Sequence, residues 1–226
     1  MGAVIISDET TKFPITLIGR MAGLCYGSDT SDEEKNYKRG LNCIKDGHGR
    51  VLEFPDVYVS IEGYSARVIR ELYTHIGGAP TRLQSSTRYI DYSNFDYVIP
   101  KTVKSNAAAE EIYKECMQNI QYNISKLIHN CDIVKEDAAM LLPLGMTTNV
   151  SGKYNGRTLG AMAEQRLCTR AYWEFRQLMR DWEKALRGYS EEWNTLCDYI
   201  FVRKCDKAGY CLESHGCGLY PQPDNR

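Results

Sequence analysis

The chain has 226 residues, of which 43% are hydrophobic and 25% charged, as expected for a folded domain with its own core. Lys and Arg number 28 and Asp and Glu 29, so the net charge of −1 excludes bulk attraction to nucleic acid or an anionic membrane, though not a local basic pocket. No apolar run approaches the ~20 residues of a membrane span, and no secretory signal is expected at the N-terminus. We therefore expect a cytoplasmic protein whose nine cysteines are thiols or ligands.

The first half of the chain contains short elements. The alternation of Val57, Val59 and Ile61 indicates a half-buried strand. Glycines and a proline mark a turn after the first clear helix. In chain order we predict a short strand or helix start over residues 13–26 and a charged exposed segment over residues 28–38. A strand over residues 56–62 and a helix over residues 65–75 follow. A turn over residues 76–80 then leads to a strand over residues 86–98, with a turn at Ser93 and Asn94.

The second half is more helical. Residues 106–130 carry one apolar face and begin with Ser105 or Asn106 as a cap, which predicts a long helix. A short helix leads to Pro143. The pattern then predicts a strand over residues 147–154 and one continuous helix from residue 155 or 156 to about residue 186. Long helices with few strands predict an α+β fold, a single domain with a small antiparallel or mixed sheet flanked by long helices.

A polar cluster occupies residues 81–89, TRLQSSTRY. Its two arginines can bind phosphate oxygens through paired N–H groups, and its hydroxyls add neutral donors. A loop that enters a strand also offers free backbone N–H groups to an anion. Composition alone nevertheless favours an exposed polar loop with an edge strand, because such short clusters are common.

Asn155 and Arg166 form a second candidate site. Eleven helical residues return to within ~20° of the same face and span about 16 Å, so one helix face could reach two parts of an extended ligand. Asn155 could equally be the cap of that helix. Arg166 could be a surface residue paired with Glu164 or Glu174.

Two histidines stand in settings that suit a ligand. His48 lies between two glycines, which tolerate close approach of a ligand, and His75 follows the helix of residues 65–75. His75 could act as a cation at that helix end. A lone histidine is nevertheless more often a packed or surface residue, and neither has metal-ligand spacing.

The C-terminal tail is rich in cysteine, and we divide the chain into a catalytic domain, residues 1–195, and this tail, residues 196–226. The spacing is looser than the paired cysteines of common zinc sites. Structural thiols are therefore preferred to a zinc site. The residues concerned are Cys197, Cys205, Cys211, His215 and Cys217.

Taken in order, these segments resemble the flavin-dependent thymidylate synthase (ThyX) family. That family carries R-H-R-x-x-S-x-N-E-x-S-x-R, of which His75, Ser86 and Arg88 are retained here across a two-residue insertion. Upstream, residues 47–54 resemble its His-x-Ser-x-x-Glu-His. Downstream, Leu142 and Pro143 are similar to its Leu-Pro segment. The run NGR…R…AYWEFR over residues 155–176 is similar to its Asn-x-Arg…Arg…Ala-Gln-Trp-Glu-Ile-Arg, and the resemblance covers residues 17–186.

The resemblance implies reductive methylation of dUMP to dTMP, with FAD as cofactor and NADPH and methylenetetrahydrofolate as co-substrates. It also implies a homotetramer with sites between subunits, and an arginine, here Arg166, that favours ionisation of the pyrimidine at N3. A fixed guanidinium in a dry site stabilises developing negative charge. We assign substrate binding to Glu71, Arg82, Gln84, Ser85, Ser86, Arg88 and Arg166. We assign cofactor binding to His48, His75, Gln84, Asn155 and Arg157, and no residue to a metal.

Several family residues are absent. The two arginines of R-H-R are Thr74 and Ile76, and the arginine before Leu-Pro falls on Ala139. Arg82, inside the insertion, and Arg50 could replace the missing charge. The losses leave open an alternative, namely a relative with changed pyrimidine nucleotide specificity, or one that binds nucleotide or flavin without catalysis.

Overall fold

The computed structural model describes residues 2–223. Their contacts divide into two compact units. Unit 1 contains the first described residues up to Ala3, together with Ile61–Thr74 and Leu83–Ser151, and unit 2 contains Val4–Ser60, His75–Arg82 and the described residues from Gly152 onward.

The strands form one antiparallel sheet of four, in the order β1-β2-β4-β3. Burial alternates along β2, where Val57, Val59 and Ile61 are buried, as the sequence pattern predicts. The strands are β1 (Ala3–Ile6), β2 (Asp56–Ser65), β3 (Thr81–Gln84) and β4 (Thr147–Asn155).

Helices account for 52% of the structure, and the expected α+β class is confirmed. The described helices are α1 (Pro14–Cys25), α2 (Glu33–Lys45), α3 (Ala66–Leu72), α4 (Lys101–Lys104), α5 (Ala107–Asn130), α6 (Lys135–Ala138), α7 (Gly156–Arg166), α8 (Trp173–Tyr189), α9 (Glu191–Ile200) and α10 (Lys204–Ala208). Two 3-10 turns cover Gly49–Glu53 and Ala139–Leu141. None of the helices within residues 2–223 combines the length and apolar character needed to cross a bilayer.

The predicted strand over residues 86–98 is wrong, although the turn predicted at Ser93 and Asn94 is present and Tyr97 forms an isolated antiparallel bridge with Met146. The strand in this region is β3, which ends at Gln84. Side chains beyond it bond to nearby backbone instead: Ser86 Oγ accepts from the N–H of Arg88 at 3.1 Å, and Asp91 Oδ1 accepts from the N–H of Ser93 at 2.8 Å. Such local bonds by Ser and Asp compete with a strand ladder and favour turns.

The predicted continuous helix over residues 155–186 is also wrong, because α7 ends at Arg166 and α8 begins at Trp173. Residues 167–172 contain no glycine or proline, so the sequence gives no stop signal there. The connection is held from α8, where Arg176 Nη1 donates to the carbonyl of Ala171 at 3.2 Å and also to that of Thr169.

Each unit has its own apolar core. In unit 1 a cluster of buried side chains surrounds Met117 and Ile124 of α5. Its other buried members are Tyr92, Phe95, Ala138 and Met146. In unit 2 the large buried side chains of α8 and α9 include Phe175, Trp182 and Trp193. At ~25 cal/mol per Å² of buried apolar surface, these aromatic side chains contribute strongly to the stability of that unit.

Candidate functional site

The first turn of α7 is fixed by Asn155. Its Oδ1 accepts from the backbone N–H of Thr158 at 2.9 Å and from the Thr158 hydroxyl at 3.0 Å. Thr158 Oγ1 also donates to the carbonyl of Gly77 at 2.8 Å, and Gly78 packs so tightly here that a Cβ would lie 2.3 Å from that hydroxyl. Asn155 is therefore the N-cap, the alternative left open by the sequence, and its amide lies beside the Gly77–Gly78 turn.

The last turn of α7 carries Arg166, whose guanidinium contacts two residues of the same unit. Its Nε donates to His75 Nε2 at 2.9 Å, and its Cζ lies 4.7 Å from the centre of the Phe175 ring. The rings of His75 and Phe175 meet edge to face at 5.7 Å. The structure thus brings together two of the predicted site residues and one that the sequence analysis missed.

Burial and charge keep His75 neutral. Partial burial, followed by the nearby charges of Arg166 and Arg82, lowers the pKa of His75 from 6.5 to about 4. Because Nε2 accepts from Arg166, the ring proton lies on Nδ1. The interpretation of His75 as a helix-end cation is therefore wrong, since a positive charge is disfavoured between two arginines.

We predict that His75 titrates near pH 4 in nuclear magnetic resonance spectra, whereas an unperturbed histidine titrates near pH 6.5. The chain has only four histidines, so a His75→Gln variant identifies the resonance by its loss. Because the native state binds this proton more weakly than the unfolded chain, the contribution of His75 to the free energy of unfolding is complete above pH 6.5 and is lost as the pH falls toward 4. A midpoint near 6.5 would contradict the assigned contacts.

Arg157 and His48 occupy exposed positions of unit 2. Arg157 Nη1 donates to Glu53 Oε1 at 2.5 Å, and Arg50 Nε lies 3.9 Å from the other oxygen of the same carboxylate. His48 precedes the 3-10 turn and accepts through its carbonyl from the N–H of Val51. Exposed ion pairs of this kind contribute little to stability, so Arg157 can exchange Glu53 for an anionic ligand at low cost.

Residues 83–89 of the polar cluster belong to unit 1, and the first two of them end β3. Gln84 Nε2 donates to Thr148 Oγ1 at 3.3 Å, and the N–H of Ser85 donates to the carbonyl of Asn149 at 2.9 Å, which fixes both residues against β4. Arg88 Nε donates to Glu136 Oε2 at 2.7 Å, in a pair whose side chains are 66% and 48% exposed. Glu71, which is also assigned to substrate binding, lies on α3 of the same unit.

Ser85 also lines a cavity of about 490 Å³ in unit 1. Thr148 and Asn149 of β4 form part of its wall, and three carboxylates, those of Glu62, Asp91 and Asp96, lie around it. Such a lining suits groups that donate hydrogen bonds rather than phosphate oxygens. Thr148, which fixes Gln84, is a residue that the sequence analysis missed.

Phe175 escaped the sequence analysis because the helix was predicted to be continuous. Nine residues along one α-helix rotate the chain by about 900° and advance it by about 13.5 Å, so Arg166 and Phe175 would point in opposite directions. The break at residues 167–172 brings the Phe175 ring back to the guanidinium. The sequence signal for this contact is an arginine at a helix end followed by an aromatic residue beyond the helix break.

The cysteines are present as free thiols. Cys197 is buried in α9, and its burial raises the pKa of the thiol to about 12. Within residues 2–223, no three or more His, Cys, Asp or Glu side chains are arranged to hold a metal ion. The predicted boundary between residues 195 and 196 falls inside α9, and the division into catalytic domain and tail stays a prediction.

Fold and site together define an α+β protein in which a capped helix presents a guanidinium fixed by a neutral histidine and an aromatic ring. The family model described as thymidylate synthase complementing protein (Thy1) matches residues 8–189. The chain therefore belongs to the flavin-dependent thymidylate synthase (ThyX) family, as its resemblance implies.

Relatives of this chain carry the same family name. The flavin-dependent thymidylate synthase of Nitratidesulfovibrio vulgaris is 30% identical over 206 residues, covering 84% of this chain and 80% of its own length. That of Pyrococcus furiosus is 31% identical over 182 residues, covering 74% and 72%. A crystal structure of ThyX from Helicobacter pylori, complexed with FAD and dUMP, superposes with a TM-score of 0.67 at 20% identity, covering 88% of this chain and 99% of that one, which shows the shared fold.

Proposed function

We propose that this protein is a flavin-dependent thymidylate synthase that converts dUMP to dTMP, with FAD as its cofactor and NADPH and methylenetetrahydrofolate as co-substrates. The relatives that share its family carry that name. One observation of the structure carries the proposal: Arg166 holds its guanidinium in a fixed place beside an uncharged imidazole.

Arg166 is the residue that acts on the pyrimidine. Its guanidinium stabilises the negative charge that develops on the ring as N3 loses its proton to solvent, which makes the ring carbon more nucleophilic without the addition of a cysteine. A charge that is already oriented and partly shielded from water needs little reorganisation as the reaction proceeds. The neutrality of His75 matters here, because a positively charged imidazole beside Arg166 would repel its guanidinium.

The donor groups of unit 2 fit a flavin. Asn155 brings an amide to the turn of Gly77 and Gly78, and Arg157 lies at an exposed position in the first turn of α7. Amide and guanidinium donors match the carbonyls of a flavin ring and the oxygens of its pyrophosphate. We propose that His48, His75, Asn155 and Arg157 hold FAD; Gln84 stays a predicted cofactor contact. When bound, FAD carries the hydride that NADPH supplies.

The polar cluster of unit 1 is proposed to hold the nucleotide. Arg88 and Ser86 bind the phosphate, and Ser85, Gln84 and Glu71 position the sugar and base. Ser86 Oγ accepts from the N–H of Arg88 at 3.1 Å, so the Ser86 O–H can donate to a phosphate oxygen. A hydroxyl donor beside a guanidinium is typical of phosphate sites.

We propose that the enzyme assembles as a homotetramer in the cytoplasm, with its sites between subunits. Large apolar side chains of unit 1 support assembly, since Met140 is 85% exposed, Tyr89 74% and Leu83 72%. Nine free thiols suit a reducing compartment. Analytical ultracentrifugation of the FAD-loaded protein measures the assembly, and a monomer at micromolar concentration would contradict it.

The test of the reaction uses purified protein. FAD should bind and give a yellow protein, NADPH should bleach its absorbance, and dUMP labelled on the ring carbon that is methylated should then release its label to water. Bleaching without release would favour the alternative, a relative with another pyrimidine substrate, which the loss of family arginines at Thr74 and Ile76 motivates. Protein that takes up no FAD would contradict both.

We predict that Arg82→Ala weakens dUMP binding several-fold, on the order of 1 kcal/mol, because Arg82 replaces a charge that the family places in R-H-R. Arg82 Nη1 donates to the carbonyl of His75 at 3.4 Å, which puts its charge near Arg166. Isothermal titration of the FAD-loaded protein with dUMP measures the change. Arg180→Ala, an exposed arginine of α8, is the matched control, and equal affinities for the Arg82 variant and the wild type would exclude this role.

A further inference from the structure

Arg166 is held from two sides by side chains of distant parts of the chain. His75, 91 residues earlier, accepts from Nε at 2.9 Å, and Phe175 presents the face of its ring to Cζ at 4.7 Å. The edge-to-face contact of the two rings closes a triangle, which we call the Arg166 cradle. The bond at Nε and the ring together define both the position and the plane of the guanidinium.

The three members of the cradle differ in solvent exposure. Phe175 is 0% exposed, so it cannot touch a bound nucleotide without a rearrangement of α8, whereas Arg166 and His75 are only partly buried. Any effect of Phe175 on the reaction must therefore pass through Arg166. The family run to which residues 171–176 are similar has Ile where this chain has Phe175.

The geometry points to His75 and Phe175 as positioning residues that hold the Arg166 guanidinium in the orientation that acts on the pyrimidine. This inference rests on the proposed function, and it gives His75 a role beyond flavin contact. An arginine side chain loses rotamer entropy when it is fixed, and the cradle meets that cost before the substrate arrives.

The charge state of His75 supports the cradle. Only the neutral ring can accept from Arg166 Nε, and burial together with the two arginines keeps the pKa of His75 near 4. The cation–π contact adds attraction that a buried ring provides better than an exposed one. Neither contact requires a ligand.

A double-mutant cycle on the FAD-loaded protein tests the role of His75. His75→Leu should weaken dUMP binding about 10- to 100-fold, the range for a hydrogen bond to a charged group, and His75→Gln, which restores an acceptor, should recover most of that loss. In an Arg166→Lys background, His75→Leu should change the affinity by less than about twofold. Independent, additive losses would overturn the proposal and leave His75 as a flavin contact only.

Phe175 is tested with a stability-matched control. Phe175→Leu should weaken dUMP binding about 3- to 10-fold through loss of the cation–π contact. Leu178→Ala, a buried residue of the same helix, should lower the melting temperature at least as much without changing the affinity. Equal effects of the two variants on affinity would mean that Phe175 acts only through stability.

A spectroscopic measurement distinguishes a loss of Arg166 orientation from a general loss of protein stability. Fluoro-dUMP, with fluorine on the ring carbon that is methylated, reports N3 ionisation by fluorine resonance. The pH of that ionisation in the bound ligand should rise by up to about one unit in His75→Leu and Phe175→Leu, and stay unchanged in Leu178→Ala. No shift in either cradle variant would overturn the positioning role.

Failure of the proposed function can be distinguished from failure of the cradle. Wild-type protein that binds no dUMP would contradict the proposed reaction, but the rate at which the Arg166 Nε–H exchanges with solvent would still report on the cradle. That exchange should be slow in the wild type and at least about tenfold faster in His75→Leu. An exchange rate that His75→Leu leaves unchanged would overturn the cradle itself.

Discussion

Arg166→Lys should lower kcat/KM for dUMP methylation by about 100- to 1000-fold, the loss typical of removing a group aimed at developing negative charge. Lysine keeps the charge but lacks the flat guanidinium, so it cannot donate from Nε to His75 while its charge faces the pyrimidine. The replacement therefore tests orientation as well as charge. Steady-state release of the labelled ring proton from dUMP measures the effect.

The control for this prediction is Arg180→Lys, at an exposed arginine in the same unit. FAD content and melting temperature should be close to wild type in both variants, because Arg166 is only partly buried. A kcat/KM for Arg166→Lys within about tenfold of wild type would mean that another group stabilises the charge on the pyrimidine.

Arg88→Ala should weaken dUMP binding about 10- to 100-fold, since a guanidinium on a phosphate forms charged hydrogen bonds, often two in parallel. The affinity for deoxyuridine, which has no phosphate, should stay unchanged in the same variant. Titration of the FAD-loaded protein with both ligands separates the two contributions, and an equal loss for both would show that Arg88 contacts the nucleoside instead.

The partner of Arg88 provides a second control. Its pair with Glu136 is largely exposed, so breaking it should change the free energy of unfolding by less than about 1 kcal/mol. Glu136→Gln leaves Arg88 in place without a competing carboxylate. That variant should bind dUMP at least as tightly as the wild type, and weaker binding would indicate that Glu136 positions the arginine.

The sequence by itself determined the elements that short stretches of chain encode. Alternating apolar residues gave β2, and an apolar face with Asn106 as the cap gave α5. The placement of Asn155 and Arg166 on one helix also followed from spacing, since Asn155 is the N-cap of α7 and Arg166 is its last residue. The order of these segments along the chain was enough to indicate the ThyX family, because a long ordered set of motifs seldom arises by chance.

Only the tertiary structure decided the contacts that the candidate site depends on. The break at residues 167–172 has no local stop signal, and it is side-chain bonds from Arg176 that hold it and return Phe175 to Arg166. The bond between Arg166 and His75 spans 91 residues, and the neutral state of His75 follows from burial and two arginines that converge only after folding. Periodicity and caps are written within a few neighbouring residues, whereas the direction of a side chain and the charge it carries depend on partners that the folded chain brings from far away.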